Sequence, residues 1–432
     1  MIKICLISLG CVKNTVDSEA ILASLKMNDY QIVSNPADSD AIIINTCGFI
    51  LSAKIEGINT ILDAAKYNKK LIVTGCLVER YFDELKKDIP EVDLWIRFKD
   101  EYKHLPRLLN KLFNKKEEGF AGDIDFSERI LSTPKYTAYL KISEGCNNFC
   151  AFCAIPFIRG RFVSYDEDSL VEYTKKIVKN GVKEVVVIGQ DPTSYGKDLK
   201  DKNVNLVTLL TRLNFVEGLE SIRCLYLYPE GITDDLLKLI ASSDKFPHYF
   251  DVPIQHANDK ILKAMNRRDT KQSMLDKFEK IKKYVPDAIL RTTVIVGFPG
   301  ETEKDIKELK DFISTVRFNH LGVFTYSKEE GTKAFNYPHQ LQQRTKDKRK
   351  DEIMQLQAEI SYSLNKELVG KVFKGIIIGE DKGDYLVRCV YNAPDDIDGN
   401  VFLKNTKKHK EGDDVLIRIT NAFVYDLYSV EV

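Results

Sequence analysis

The chain has 432 residues, with 64 Lys and Arg against 64 Asp and Glu, nine cysteines and 44% hydrophobic residues. This composition excludes a disordered or collagen-like chain, and at about 150 residues per domain it allows about three domains. The longest apolar stretches, such as 41–44 closed at once by Asn45, fall far short of the ~20 residues that cross a bilayer, and the amino-terminus lacks the segments of a secretion signal. A cytoplasmic protein is expected, and zero net charge argues against a general binder of polyanions.

Three short apolar runs, 4–10, 41–46 and 71–75, read as buried parallel strands, and a cysteine follows each: Cys11, Cys47 and Cys76. The stretches 18–27 and 52–67 between them carry the helical periodicity of βαβ crossovers. The carboxyl ends of parallel strands share one edge, where ligands bind, so the three cysteines are expected to converge there. One of them alone would more often be a small core residue; three at the same structural phase point to a site. Cys5, Cys224 and Cys389 fall inside strands and read as structural. Residues 1–115 thus form an open parallel α/β sheet domain, closing with a helix over 102–114, and 116–134 reads as a linker.

In the next domain, 135–365, three cysteines lie within eight residues as Cys146-Asn-Asn-Phe-Cys150-Ala-Phe-Cys153. An odd cysteine total without a secretion signal argues against a disulfide framework. Zinc sites pair C-x2-C knuckles to reach four ligands, whereas here the first gap is longer and no fourth ligand follows locally. Three thiolates on a 4Fe-4S cluster leave one iron open to a substrate or cofactor. Gly145, Asn147 and Asn148 make the segment a loop rather than a packed core. Strands over 139–142, 184–189, 222–228, 249–254, 291–297 and 321–326 alternate with helical segments, giving six βα units and a partial (β/α)6 barrel. Polar residues follow these strands: Glu144, Gln190, Asp191, Glu230, Gln255, His256 and Ser327. That face is the catalytic one in such barrels, and the cysteine loop, following the first strand, belongs to the same mouth.

A long charged helix, 340–368, leads into residues 366–432, where 372–378, 384–390, 399–403, 415–420 and 423–430 alternate in period two between turns. Five short antiparallel strands suggest a small β-barrel of OB-like size. From 371 onward nine basic residues face eleven acidic ones, which suits a basic protein partner better than a sequence-independent grip on RNA. The lysine cluster over 404–410 keeps an RNA reading open.

The run Cys146-x3-Cys150-x2-Cys153 after a first barrel strand resembles the radical S-adenosylmethionine (SAM) enzymes. Together with the Cys11, Cys47, Cys76 set and the terminal β-barrel, it is similar to their methylthiotransferase family over essentially the whole chain. The resemblance implies two 4Fe-4S clusters. One, on Cys146, Cys150 and Cys153, binds SAM through its open iron, with Phe152 near the adenine. The other, on Cys11, Cys47 and Cys76, supplies or binds sulfur, and the β-barrel corresponds to the TRAM domain. Gln190, Asp191 and Gln255 are the candidates for orienting SAM or substrate; a plain polar cap on a strand end is the alternative for each. Ser8-Leu-Gly-Cys-Val-Lys-Asn14, Gly189-Gln-Asp191 and Asp251-Val-Pro-Ile-Gln-His256 look like the RimO type, which modifies the β-carbon of an aspartate in the twelfth protein of the small ribosomal subunit. Arg159-Gly-Arg161 before Val163-Ser164 is closer to the MiaB type, which modifies an adenosine of tRNA and is the alternative. An unactivated aspartate β-C–H is too weak an acid for a side-chain base, so radical abstraction by a cofactor fits better. The expected partners are the ribosomal protein, an external electron donor and a sulfur donor, with tRNA as the alternative substrate and no membrane. An iron–sulfur electron carrier, the reading from another class, would complete each cluster with a fourth cysteine, and both sets stop at three.

Overall fold

A computed structural model describes residues 1–115, 120–394 and 397–432. The start of the expected linker, 116–119, and two acids of the terminal barrel, Asp395 and Asp396, lie outside the described residues.

In the amino-terminal part five parallel strands stand in the order Gln31–Ile32, Lys3–Ser8, Ala41–Thr46, Lys70–Gly75, Leu94–Trp95. Ala41–Thr46 is buried at every position, as a central strand covered by helices on both faces must be. The helices Val12–Met27, Leu51–Ala65 and Cys76–Asp88 each follow a strand closely. The two flanking strands, two residues each, carry no periodicity and were not expected from the sequence. The strand order places a topological switch point between Lys3–Ser8 and Ala41–Thr46, and an open sheet binds ligands in the crevice beyond such a point.

Six further parallel strands form two sheets of three, Thr137–Lys141, Glu184–Ile188, Ser221–Cys224 and then Tyr249–Asp251, Ile289–Val296, His320–Thr325. The Leu227 N–H donates to the Asp251 carbonyl at 2.9 Å, so the sheets adjoin in chain order as one curved wall. No ladder joins the first and last of these strands among the described residues, which makes the barrel partial. Leu140, Val187, Leu209, Phe278 and Phe312 belong to the core between this wall and its helices, each side chain contributing about 1.5–3 kcal/mol on burial. Asn205, Thr270 and Thr302 form capping boxes that fix three helix starts.

The helix Gln343–Lys366 runs along the last strand, with Gln357 donating to the Phe318 carbonyl at 2.7 Å and Ser361 to that of Asn319 at 2.8 Å. The strands Val372–Asp381, Asp384–Cys389, Val401–Leu403, Leu427–Glu431 and Asp414–Ala422 then close a barrel in that ring order. Val401–Leu403 and Leu427–Glu431 pair in parallel while the other four pairs are antiparallel. A closed ring of five strands cannot alternate direction throughout, so one parallel pair is geometrically required.

The terminal barrel covers the floor of the central one. Tyr249 Oη donates to Asp398 at 2.7 Å, Arg291 Nε donates to Asp398 at 3.2 Å, and the Arg223 guanidinium donates to the Cys389 carbonyl at 3.1 Å. Tyr249 opens its strand, as does His320, whose Nε2 lies 2.7 Å from the Tyr391 carbonyl. These contacts therefore lie at the end opposite the mouth. Asp398, one of the acids weighed above as facing a basic partner, is instead buried in this interface. The described part of the expected linker is docked rather than loose: Ile124 is buried, Ile130 N–H donates to the Glu19 carbonyl, and Ser132 donates to the Glu19 carboxylate through N–H and Oγ at 2.8 and 2.9 Å. Among the described residues no helix is long and apolar enough to cross a membrane.

Candidate functional site

The three-cysteine loop is braced from outside. Its neck is closed by the antiparallel pair Ser143–Glu144 and Val163–Ser164. The Asn266 amide donates to the carbonyls of Asn148 and Phe149, at 3.0 Å each, and Ala151 N–H donates to the Met265 carbonyl at 2.8 Å. These bonds hold Phe149 at φ 48°, a left-handed conformation costly for a bulky residue. All nine cysteines are free thiols. The Asn148 N–H points at Cys146 Sγ at 3.5 Å, and Tyr228 Oη lies 3.2 Å from Cys150 Sγ. Burial pushes the Cys146 thiol up to about 11 and raises Cys153 as well. Thiols so buried ionise on binding a cation, and the Asn148 N–H already faces the Cys146 sulfur.

Cys11, Cys47 and Cys76 gather at the crevice of the amino-terminal sheet. Cys11 is the N-cap of Val12–Met27 and Cys76 the first residue of Cys76–Asp88, so two helix amino-termini favour anionic sulfur there. A Cβ at Gly10 would stand 2.5 Å from Cys47 Cβ, so only glycine lets the first strand end approach the second cysteine. Gly75, at φ +100°, has the Thr46 carbonyl where its Cβ would be, 2.4 Å away. Burial raises Cys47 and takes Cys76 to about 11, against the pull of Arg159.

The two cysteine sets face each other. Cys76 packs with Ala154 and Ile158, just beyond Cys153. Arg159 donates Nε to Cys76 Sγ at 3.3 Å and Nη1 to Asp17 at 2.6 Å and Glu144 at 3.2 Å, while Nη2 bonds Asn14. Lys141 joins the same group through Asp17 and, at 3.0 Å, Glu144. Burial opposes ionisation of Glu144, but Lys141 and Arg159 outweigh it and take the carboxyl down to about 2. Beside the second cysteine, Arg80 donates to the Gly48 carbonyl at 2.6 Å and to Glu329 at 3.0 Å, and Lys54 bonds Glu329 at 2.8 Å. Glu329 follows the last barrel strand, so this cluster ties the sheet's crevice to the barrel mouth.

The remaining expected residues divide. Gln190 donates to Glu144 at 2.8 Å and leaves its buried Oε1 without a partner among the described residues. Asp191 accepts from Asn148 at 2.8 Å, Thr193 at 2.6 Å and Ser194 at 2.8 Å, which makes it a brace of the cysteine loop. Gln255 is held at φ 68° by a backbone bridge to Val294, and no hydrogen bond joins its side chain to the cysteine loop among the described residues. Phe152 is half-buried in an apolar cluster with Phe298 and Tyr326. Sequence reasoning missed Asn14, Asp17, Lys141, Arg159 and Tyr228 as site residues. Lys141, a lysine inside the apolar run Tyr139-Leu-Lys-Ile142, was one legible signal, and Asn14 and Arg159 fall in the motifs quoted above, where no site role was assigned to them.

Among the described residues no three His, Cys, Asp or Glu side chains converge on a point as a single metal ion requires. A cluster whose irons each take one thiolate needs sulfurs spread around it, and a donor set of free thiols, of which Cys76 and Cys146 are buried and Cys11 opens to the exterior, with Arg159 and the Asn148 N–H directed at sulfur, fits such a group.

Residues 140–313 match the family model described as Radical SAM superfamily, 3–97 that described as Uncharacterized protein family UPF0004, and 369–432 the TRAM domain. In fold the chain is similar to the radical SAM methyltransferase TsrM of Kitasatospora setae, with a TM-score of 0.56 and 11% identity over 75% of this chain and 73% of that one. It is similar also to the radical enzyme OxsB, with a TM-score of 0.52 and 11% identity over 82% of this chain and 56% of that one. The chain is thus a radical SAM enzyme carrying a TRAM domain. It is 46% identical to the ribosomal protein uS12 methylthiotransferase RimO of Clostridium acetobutylicum, over 99% of this chain and 98% of that one, and 44% identical to those of Clostridium perfringens and Acetivibrio thermocellus at similar coverage. It belongs to the RimO family of methylthiotransferases.

Proposed function

We propose that the chain attaches a methylthio group to the β-carbon of an aspartate in ribosomal protein uS12, using SAM and two 4Fe-4S clusters. Cys146, Cys150 and Cys153 would hold one cluster at the barrel mouth, and Cys11, Cys47 and Cys76 the other at the sheet crevice. The observation that supports this reading is the juxtaposition of the two cysteine sets across Arg159, as a reaction needing both a radical and a sulfur source at one place requires. In this scheme 1–115 is the sulfur-handling unit, 135–365 the radical unit, and 366–432 the barrel that closes the floor.

When bound, the clusters and SAM supply the one-electron chemistry that removes a hydrogen no side-chain base can take, together with the sulfur and methyl group. The chain's own residues bind and orient. Asn148 N–H donates to the Cys146 sulfur, Tyr228 Oη would donate to the Cys150 sulfur once that is a thiolate, and Asn266 and Asp191 fix the loop that carries them. The unpartnered Gln190 Oε1 offers an acceptor to a bound amino group. The terminal barrel seals the floor against water, and Glu329 with Arg80 and Lys54 keeps the crevice against the mouth.

The test is mass spectrometry of anaerobically reconstituted protein with SAM, sulfide and reductant, given uS12 in one tube and unmodified tRNA in another. A gain of about 46 Da, CH3S replacing H, on an aspartate of uS12 is expected. The same gain on a tRNA nucleoside alone would transfer the assignment to tRNA, and no gain on either from protein loaded with iron and consuming SAM would overturn both substrates.

A further inference from the structure

The four charged side chains between the cysteine sets are buried more deeply than ion pairs usually are. Arg159, Lys141 and Asp17 have side chains exposed by 2% or less, and Glu144 by 16%. Two cations oppose two anions, so the group is balanced before any sulfur is counted. Arg159 arrives from the loop of one set, six residues beyond Cys153, and reaches the sulfur of the other. Its guanidinium lies 4.2 Å from the Phe98 ring centroid, and its bonds to Asp17, Glu144 and Asn14 leave one orientation, with Nε on Cys76 Sγ. A guanidinium stays charged under all ordinary conditions, and charge acts strongly in a buried site.

We propose that Arg159 is a positioning residue that raises the reduction potential of the iron–sulfur group held by Cys11, Cys47 and Cys76, with Asp17 setting how much of its charge that group feels. This rests on the reading that those three cysteines hold such a group. Reduction adds one electron and hence negative charge to the group, and both a hydrogen bond to sulfur and a nearby cation stabilise the reduced form. Loss of Arg159 therefore lowers the potential. Loss of the Asp17 charge leaves the same guanidinium less compensated and raises it. A residue that merely fills space would not produce opposite signs.

The experiment uses full-length protein in which Cys146, Cys150 and Cys153 are replaced by Ala, so that one set alone is loaded. Iron and acid-labile sulfide are counted, and the midpoint is read by electron paramagnetic resonance in a dithionite titration. In this background Arg159→Gln is expected to shift the one-electron equilibrium tenfold or more, a midpoint lower by about 59 mV or more. Arg159→Lys should fall between, because it keeps the charge and loses the fork. Asp17→Asn should raise the midpoint. Midpoints of Arg159→Gln and Asp17→Asn that leave the one-electron equilibrium within threefold of the parent, about 28 mV, or that move in the same direction, overturn the proposal. If Arg159→Gln takes up no iron, Asp17→Asn decides: a raised midpoint supports the proposal, and an unmoved or lowered one overturns it. A parent without iron overturns the reading of Cys11, Cys47 and Cys76 and this proposal with it, a result distinct from a loaded parent whose midpoint does not respond.

Discussion

Glu329→Ala removes the anion that joins the amino-terminal sheet to the barrel mouth. The Glu329 side chain is 3% exposed and accepts from Lys54 at 2.8 Å, Arg80 at 3.0 Å and Ser327 at 2.6 Å. Its loss leaves two cations, 15% and 7% exposed, side by side without a counter-charge. Breaking a buried pair in this way costs about 3–5 kcal/mol. The lower end applies, because Lys54 keeps Tyr81 Oη at 3.1 Å and Arg80 keeps the Gly48 and Glu330 carbonyls at 2.6 and 2.8 Å. About 3 kcal/mol corresponds to roughly 100-fold more frequent opening of the crevice. Amide hydrogen exchange reads this locally: the first turns of Leu51–Ala65 should exchange roughly 100-fold faster, while Ile289–Val296 in the barrel wall is unchanged. A change of less than about threefold in Leu51–Ala65 would show that the clamp carries none of the assigned energy. The pH dependence has a fixed sign. Burial opposes ionisation of Glu329, but the bonds from Lys54, Ser327 and Arg80 and the charge of Lys54 hold its carboxyl below the usual range. Its contribution is therefore complete above the unfolded value, about 4.3, and is lost as pH falls through the depressed folded value. Protection factors of Leu51–Ala65 in the wild type should thus be flat around neutral pH once the intrinsic pH dependence of exchange is divided out, and acid should mimic the substitution.

Gly75→Ala forces a Cβ against the Thr46 carbonyl at a left-handed φ, so reconstituted protein should lose the iron of the Cys11, Cys47, Cys76 set alone, about half the total by iron analysis. Asn266→Ala removes both bonds that hold the Asn148 and Phe149 carbonyls; a loss of about 1–3 kcal/mol should appear as iron released from the other set at lower chelator concentration. Asp398→Ala leaves Tyr249 Oη and the Ala393 N–H unpaired on the barrel floor, and proteolysis should release the terminal barrel from folded protein faster by about 100-fold.

How much of this was legible in the sequence depended on the range of the interaction. Ala41–Thr46 and the six barrel strands were readable because a buried parallel strand is a local apolar run. The cysteine loop was readable because its spacing is local, and Cys11, Cys47 and Cys76 because each follows such a run. Gln31–Ile32 and Leu94–Trp95 are too short to carry a pattern, and their pairing is set by the sheet they join. Asp17 and Arg159 meet across 142 residues of sequence, so nothing near either one announces the contact. The seating of the terminal barrel on the floor of the central one is likewise a tertiary fact. Counting charges over 371–432 could not show that Asp398 faces Arg291 rather than a partner.

The division of labour between the two cysteine sets is tested most directly by replacing Cys11, Cys47 and Cys76 together with Ala and following uS12 by mass spectrometry while SAM consumption is measured in the same reaction. The wild type should add about 46 Da to an aspartate, and the variant should still consume SAM yet add nothing. A gain of about 46 Da on uS12 from the variant would contradict the assignment of sulfur handling to the amino-terminal set.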